Sequence, residues 1–118
     1  MKFLPLFACM MMAGASVAPG QNQHQMNAEA AAEFTKADKE LNEVYTKVIA
    51  VLDDGAKEKL KKSQRAWVAY RDADAEFHAD AEARGGSMWP LIYEGTRGSL
   101  TKARVKALRE YLIEENEK

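Results

Sequence analysis

Apolar residues recur along this chain at helical rather than strand spacing. From about Ala28 to Leu52, Phe34, Leu41, Tyr45, Val48 and Leu52 follow one another at steps of three, four and seven, which gathers them on one face of an α-helix. Asp53-Asp54-Gly55 interrupts the run with turn residues, and an Asp there can cap the next helix. A second helix is predicted from about Ala56 to Arg84, with Leu60, Gln64, Trp67, Arg71, Asp74 and His78 on its inner stripe. Gly85-Gly86 ends it, as glycine does just past a helix C-terminus. Ser87 is expected to cap a third helix that tolerates Pro90 in its first turn and runs to about Glu115 through Leu91, Ile92, Leu100, Leu108 and Leu112. Gly95 and Gly98 each weaken that helix by about 1 kcal/mol relative to Ala, which predicts a neighbouring helix passing close by. The fold class is therefore all-α: an antiparallel three-helix bundle or hairpin.

The N-terminus follows a different pattern. Lys2 precedes an almost unbroken apolar run from Phe3 to Met12, and small residues follow from Ala13 to Ala18. One positive charge, a short apolar core and small residues are the parts of a secretory signal, and the run is too short to span a bilayer. Cleavage after Ala15 fits; a cut after Ala18 would leave the unfavourable Pro19 next. The expected organisation is a signal peptide over residues 1–18, a linker over 19–27 and a helical domain over 28–118. The expected location is periplasmic or secreted. Leu6-Phe7-Ala8-Cys9 loosely resembles a lipoprotein box, but Phe7 is bulky for that site, so Cys9 reads as part of the discarded signal. The mature chain would then lack cysteine and rely on packing, without a disulfide. Losing Lys2 would move the net charge from −1 to −2.

At 118 residues the chain has room for one domain. With 47% apolar and 30% charged residues it has an ordinary globular balance, and a net charge near zero does not mark a nucleic-acid binder.

Short turns make sequential helices antiparallel, so each turn sets a register. Around Gly85-Gly86, facing residues should have numbers adding to about 171. The basic start of the second helix (Lys57, Lys59, Lys61, Lys62) then falls near Glu110, Glu114 and Glu115, and Trp67 falls opposite Arg104, within reach of a cation–π contact. Around Asp54 the same reasoning puts Asp38 opposite Arg71. An unpaired buried Arg costs several kcal/mol, so an Asp38–Arg71 pair is expected, with Asn42 nearby. Arg71 could instead anchor an anion, but a paired charge is the ordinary state of a buried Arg. Asn42 and Gln64 read as interhelix hydrogen bonders, and Tyr45 and Trp67 as core aromatics.

Leu41-Asn42-Glu43-Val44-Tyr45, the block Leu60 to Asp72 containing Gln64, Trp67, Tyr70 and Arg71, then Gly85-Gly86-Ser87, and finally Leu100-Thr101-Lys102-Ala103-Arg104 together resemble the LprI N-terminal-like domain family. The pattern L-N-x-x-Y, L-x-x-x-Q-x-x-W-x-x-Y-R-D, G-G-S, L-T-x-x-R is present in order from roughly Asp38 to Leu112. The resemblance implies a small exported bacterial helical domain that inhibits lysozyme. Family members often carry a cysteine after the R-D block and another before the L-T block; here those positions hold Asp74 and Thr96, which face each other in the register above. Losing such a bridge forfeits on the order of 2–4 kcal/mol.

Catalytic chemistry is hard to assemble from this chain. Its histidines are His24, in the predicted linker, and His78, near a helix end. Asp74, His78 and Glu82 share a face, but a few solvated helix side chains are a weak metal signal. No cofactor is expected, no catalytic residues are assigned, and the chain reads as a non-enzyme. A lysozyme cleft carries two carboxylates and admits a protruding segment. The turn Arg84-Gly85-Gly86-Ser87-Met88-Trp89 is the candidate partner-binding tip, with Arg84 for a carboxylate and Trp89 as an aromatic anchor. The partner would be lysozyme or another cell-wall hydrolase. The alternative is a non-inhibitory envelope stress or scaffold module that binds another protein or a small ligand.

Overall fold

A computed structural model describes the backbone of residues 19–116 and the side chains of residues 22–113. The expected signal peptide, its cleavage sites and Cys9 lie outside the described residues. The chain forms three helices: α1 (Pro19–Val51), α2 (Asp54–Ala83) and α3 (Trp89–Asn116). None of the described helices is long and apolar enough to cross a membrane.

α1 begins earlier than the apolar pattern predicts. Gln21–Asn27, expected as a linker, is helical. This stretch presents no apolar face; amide pairs one turn apart support it instead. Gln23 donates to Asn27 at 2.8 Å and Gln25 to Glu29 at 3.3 Å. Pro19 at the first helical position needs no N–H partner. At the α1–α2 turn, Asp53 is the N-cap, its Oδ1 accepting from the Ala56 amide at 2.8 Å.

The α2–α3 turn is tighter. Arg84 (φ −52°, ψ 122°) followed by Gly85 at φ +74° matches a type II turn, closed by the Gly86 amide donating to the Ala83 carbonyl at 2.8 Å. Gly85 supplies the left-handed conformation that a side chain would resist. α3 starts later than expected: the Ile92 amide bonds to the Met88 carbonyl, so Met88 rather than Ser87 sits at the cap position. The Ser87 carbonyl instead accepts from Asn27 Nδ2 at 3.0 Å, which ties α1 to the turn.

Neighbouring helices run antiparallel, so α1 and α3 are parallel. Asn27 meets Ser87, Phe34 meets Gly98 and Glu40 meets Arg109, the numbers rising together. α1 packs mainly on α3; α2 lies against α3 and touches α1 lightly. The core joins Leu41, Val44 and Val48 of α1 to Val105 and Leu108 of α3, with Tyr45, Leu52, Leu60, Trp67 and Leu112 packed around them. Each fully buried aliphatic side chain contributes about 1.5–3 kcal/mol. Closer to the α2–α3 turn the fillers change to Ala37, Ala75, Ala79 and Gly98. A Cβ on Gly98 would sit 3.7 Å from the Phe34 backbone, so α1 does approach there as expected; Gly95, by contrast, faces open space.

Candidate functional site

The predicted inner stripe of α2 holds as far as Arg71 and then shifts. Beyond it Ala75 and Ala79 are buried, while Asp74 and His78 stand half-exposed beside the seam. Small residues there let α3 come close. His78 Nε2 lies 3.6 Å from Asp74 Oδ2, and the described residues contain no cluster of three or more metal-ligating side chains. Asp74 and Thr96 line one groove between α2 and α3.

Arg71 is buried at the centre of the bundle. Its Nη1 reaches Asp38 Oδ1 at 3.3 Å, the interhelix pair expected from the first turn, and Thr101 Oγ1 at 3.5 Å. Its Nε donates to Asp72 Oδ1 at 2.9 Å. Asp72 also accepts from Arg97 Nε at 3.1 Å, which makes it the shared anion of two guanidinium groups. Burial pushes the Asp72 carboxyl upward, but hydrogen bonds and charge from Arg71 and Arg97 outweigh that and hold it below its ordinary 3.8. Thr101, fully buried, donates to the Arg97 carbonyl at 2.7 Å.

The aromatic side chains lie between these cations. Arg97 sits 3.7 Å from the Phe34 ring centroid and 5.0 Å from that of Tyr93. Arg71 lies 5.0 Å from Phe34 and 5.3 Å from Trp67, and Arg104 lies 5.7 Å from Trp67. Tyr93 in turn stacks on Trp89 at 4.9 Å. A ladder of alternating rings and guanidinium groups thus descends from the α2–α3 turn into the middle of the bundle, each desolvated rung worth about 0.5–2 kcal/mol. The Trp67–Arg104 contact follows from the turn register. Gln64 is the interhelix acceptor expected, taking a bond from Arg104 Nε at 3.0 Å. Tyr45 and Trp67 both pack on the core, and Leu41 is buried in it.

Other expectations fail. Asn42 is exposed and makes no interhelix side-chain bond among the described residues; it lies about 100° around α1 from Leu41, off the inner face. Lys61 pairs with Glu58 at 3.1 Å on its own helix, and Glu110 lines the α1–α3 groove with Lys106 and Arg109. The α2–α3 register itself holds, but Glu110 lies on the side of α3 turned toward α1, away from the α2 lysines. The share of that pairing assigned to Glu114 and Glu115 lies outside the described residues.

At the tip, Trp89 is not a free anchor. Its Nε1 donates to Asp80 Oδ1 at 2.8 Å, its ring stacks on Tyr93, and it is half-buried. Arg84 is 81% exposed, with only a loose 3.7 Å approach to Asp80. Met88 is 48% exposed, and Gly85, Gly86 and Ser87 are all exposed. The turn therefore has a fixed base of Trp89 and the Ser87 carbonyl, and exposed side chains in Arg84, Ser87 and Met88.

No solved structure matches this chain. An uncharacterized protein of Rhizobium meliloti (strain 1021) is 38% identical over 104 residues, covering 77% of this chain and 74% of the relative. The profile of the family described as "Lysozyme inhibitor LprI" matches residues 15–108, most of the chain, so the chain belongs to the LprI lysozyme inhibitor family.

Proposed function

We propose that this protein is exported to the cell envelope and inhibits lysozyme-like peptidoglycan hydrolases through its α2–α3 turn. Membership of an inhibitor family is the observation that carries this reading. The tip chemistry supports it. Arg84 is an exposed guanidinium, held only by a loose 3.7 Å approach to Asp80 and suited to a bidentate contact with a cleft carboxylate, and Met88 beside it offers adaptable apolar area. Both stand on a turn held by the Asn27–Ser87 bond and by the Trp89–Asp80 bond, so little ordering entropy is lost on binding. Trp89 acts as the support of the tip rather than as its anchor.

The test is a cell-wall lysis assay with representative lysozymes of the animal, goose and phage types. Purified protein should slow at least one of them in a saturable way, and Arg84→Glu together with Met88→Ala should weaken that inhibition at least tenfold while helicity is kept. Unchanged lysis in every case would favour the non-inhibitory envelope module instead.

A further inference from the structure

The aliphatic end of the bundle, remote from the diglycine turn, is not fully closed. A recess of about 310 Å³ opens beside the core cluster and takes its lining from all three helices. Buried Val48 of α1 and Leu108 of α3 form its floor, and half-buried Leu52 and Leu60 its walls. Lys59, Ser63 and Tyr111 stand exposed at the rim, with Arg104 half-buried between rim and floor.

Charge sets this recess apart. The grooves lined by Asp38, by Asp74 and Glu82, and by Glu40 and Glu110 all carry carboxylates. This one is lined by two cations and no carboxylate. Arg71, Arg84, Arg97 and Arg109 each have a carboxylate partner. Arg104 has none among the described residues, although it is half-buried. Its Nε donates to the neutral Gln64 at 3.0 Å, and its Nη2 makes only a long 3.5 Å approach to Ser63 Oγ. The outer edge of its guanidinium is thus left for an anion.

We propose that this recess binds a single-chain aliphatic carboxylate, a free fatty acid of about ten carbons. A desolvated guanidinium with a neutral partner gains most from a carboxylate laid against its remaining N–H groups. The apolar floor and walls take the alkyl chain, as in other small-molecule sites with a few placed polar groups. At about 30 Å³ per water-sized group, the recess has room for about ten such groups. A notch between three helices admits one slender chain rather than a flat protein surface. The site lies at the opposite end from the diglycine turn and does not depend on what that turn binds.

Calorimetric titration of the purified protein with sodium decanoate tests this, at about pH 7.5, where the carboxylate is ionised. Binding should saturate with a Kd between about 10 μM and about 1 mM. Amide shifts should move at Val48, Leu60 and Leu108 and stay still at Gly85–Met88. Acetate has the head without the chain, and decyltrimethylammonium has the chain with the opposite charge; neither should bind. Decanol should bind about tenfold more weakly than decanoate. Arg104→Gln should remove that difference by weakening decanoate alone, and Lys59→Gln, at an exposed position, should weaken decanoate by a smaller factor. Ser63→Phe, which fills the recess from its rim, should abolish binding of both with unchanged circular dichroism. Absence of saturable decanoate binding overturns the proposal. So does equal affinity for decanol and decanoate, or binding that survives Ser63→Phe. Two further results would name another occupant and overturn it as well. One is sedimentation with phosphatidylglycerol vesicles while decanoate leaves Val48 and Leu108 unmoved; the other is a dimer that Ser63→Phe splits and decanoate does not.

Discussion

The two halves of the bundle are held together by different chemistry. Toward the α1–α2 turn, Leu41, Val44, Val48, Val105 and Leu108 form a plain aliphatic core. Toward the α2–α3 turn, the space between the helices is filled by alanines, Gly98, Thr101 and the ladder of guanidinium groups and rings. The aliphatic half gains its stability from area removed from water and is indifferent to pH. The polar half gains less per residue, because desolvating Arg71 consumes much of what its partners return. What it gains instead is direction: an Arg bound to Asp38, Asp72 and Thr101 fits one register of three helices, and that register places the tip. The tip proposed to meet a partner grows from the polar half.

Leu108→Ala should break the contrast most visibly. A fully buried leucine leaves a cavity, and the loss should be about 3–4 kcal/mol in denaturant unfolding, equal at pH 7 and pH 4. Arg71→Met should cost less, about 1–2 kcal/mol, although Arg71 is just as central. Methionine keeps most of the packing, and the carboxylates left behind are 39% and 41% exposed, so water can take them. A loss larger than that of Leu108→Ala would mean that the ladder, not the aliphatic cluster, dominates stability.

Acid sensitivity separates the halves at a finer scale. Asp72 titrates below its ordinary value in the folded protein. Its stabilising contribution is therefore present above the unfolded-state pKa and lost as pH falls through the folded one. Asp72→Asn should flatten the decline of the melting temperature between about pH 4 and pH 2, and an unaltered slope would remove Asp72 from the account. The smallest effect belongs to Gly95→Ala. Gly95 faces open space inside a helix, so alanine should stabilise by about 0.5–1 kcal/mol in the same denaturant assay.

These halves were unequally legible in the sequence. Where a short turn fixes register, two contacts could be read off: Asp38–Arg71 around Asp54, and Trp67 with Arg104 around the diglycine; Gln64 was legible as an interhelix hydrogen bonder but not its partner Arg104, and the pairing of the α2 lysines with Glu110 from the same register fails. The same register brings Asp72 within a turn of Arg97, so that pair was within reach as well. The contacts of Phe34 with Gly98 and Arg97 were not, because no turn links α1 to α3 and their offset is decided only when all three helices pack. The helical start of α1 was hidden for a different reason: polar amides and one bond to Ser87 hold it, and neither leaves a trace in apolar periodicity. At the tip, the residue types showed where a partner could bind, but not that Asp80 and Tyr93 had already claimed Trp89.

The most direct test is to titrate a susceptible lysozyme into isotope-labelled protein and follow backbone amide shifts. Perturbations should centre on Arg84–Met88 and extend to the Asn27 region of α1, leaving Val44–Leu60 and Val105–Leu112 unmoved. Perturbations centred on that aliphatic end, with the diglycine turn silent, would contradict it.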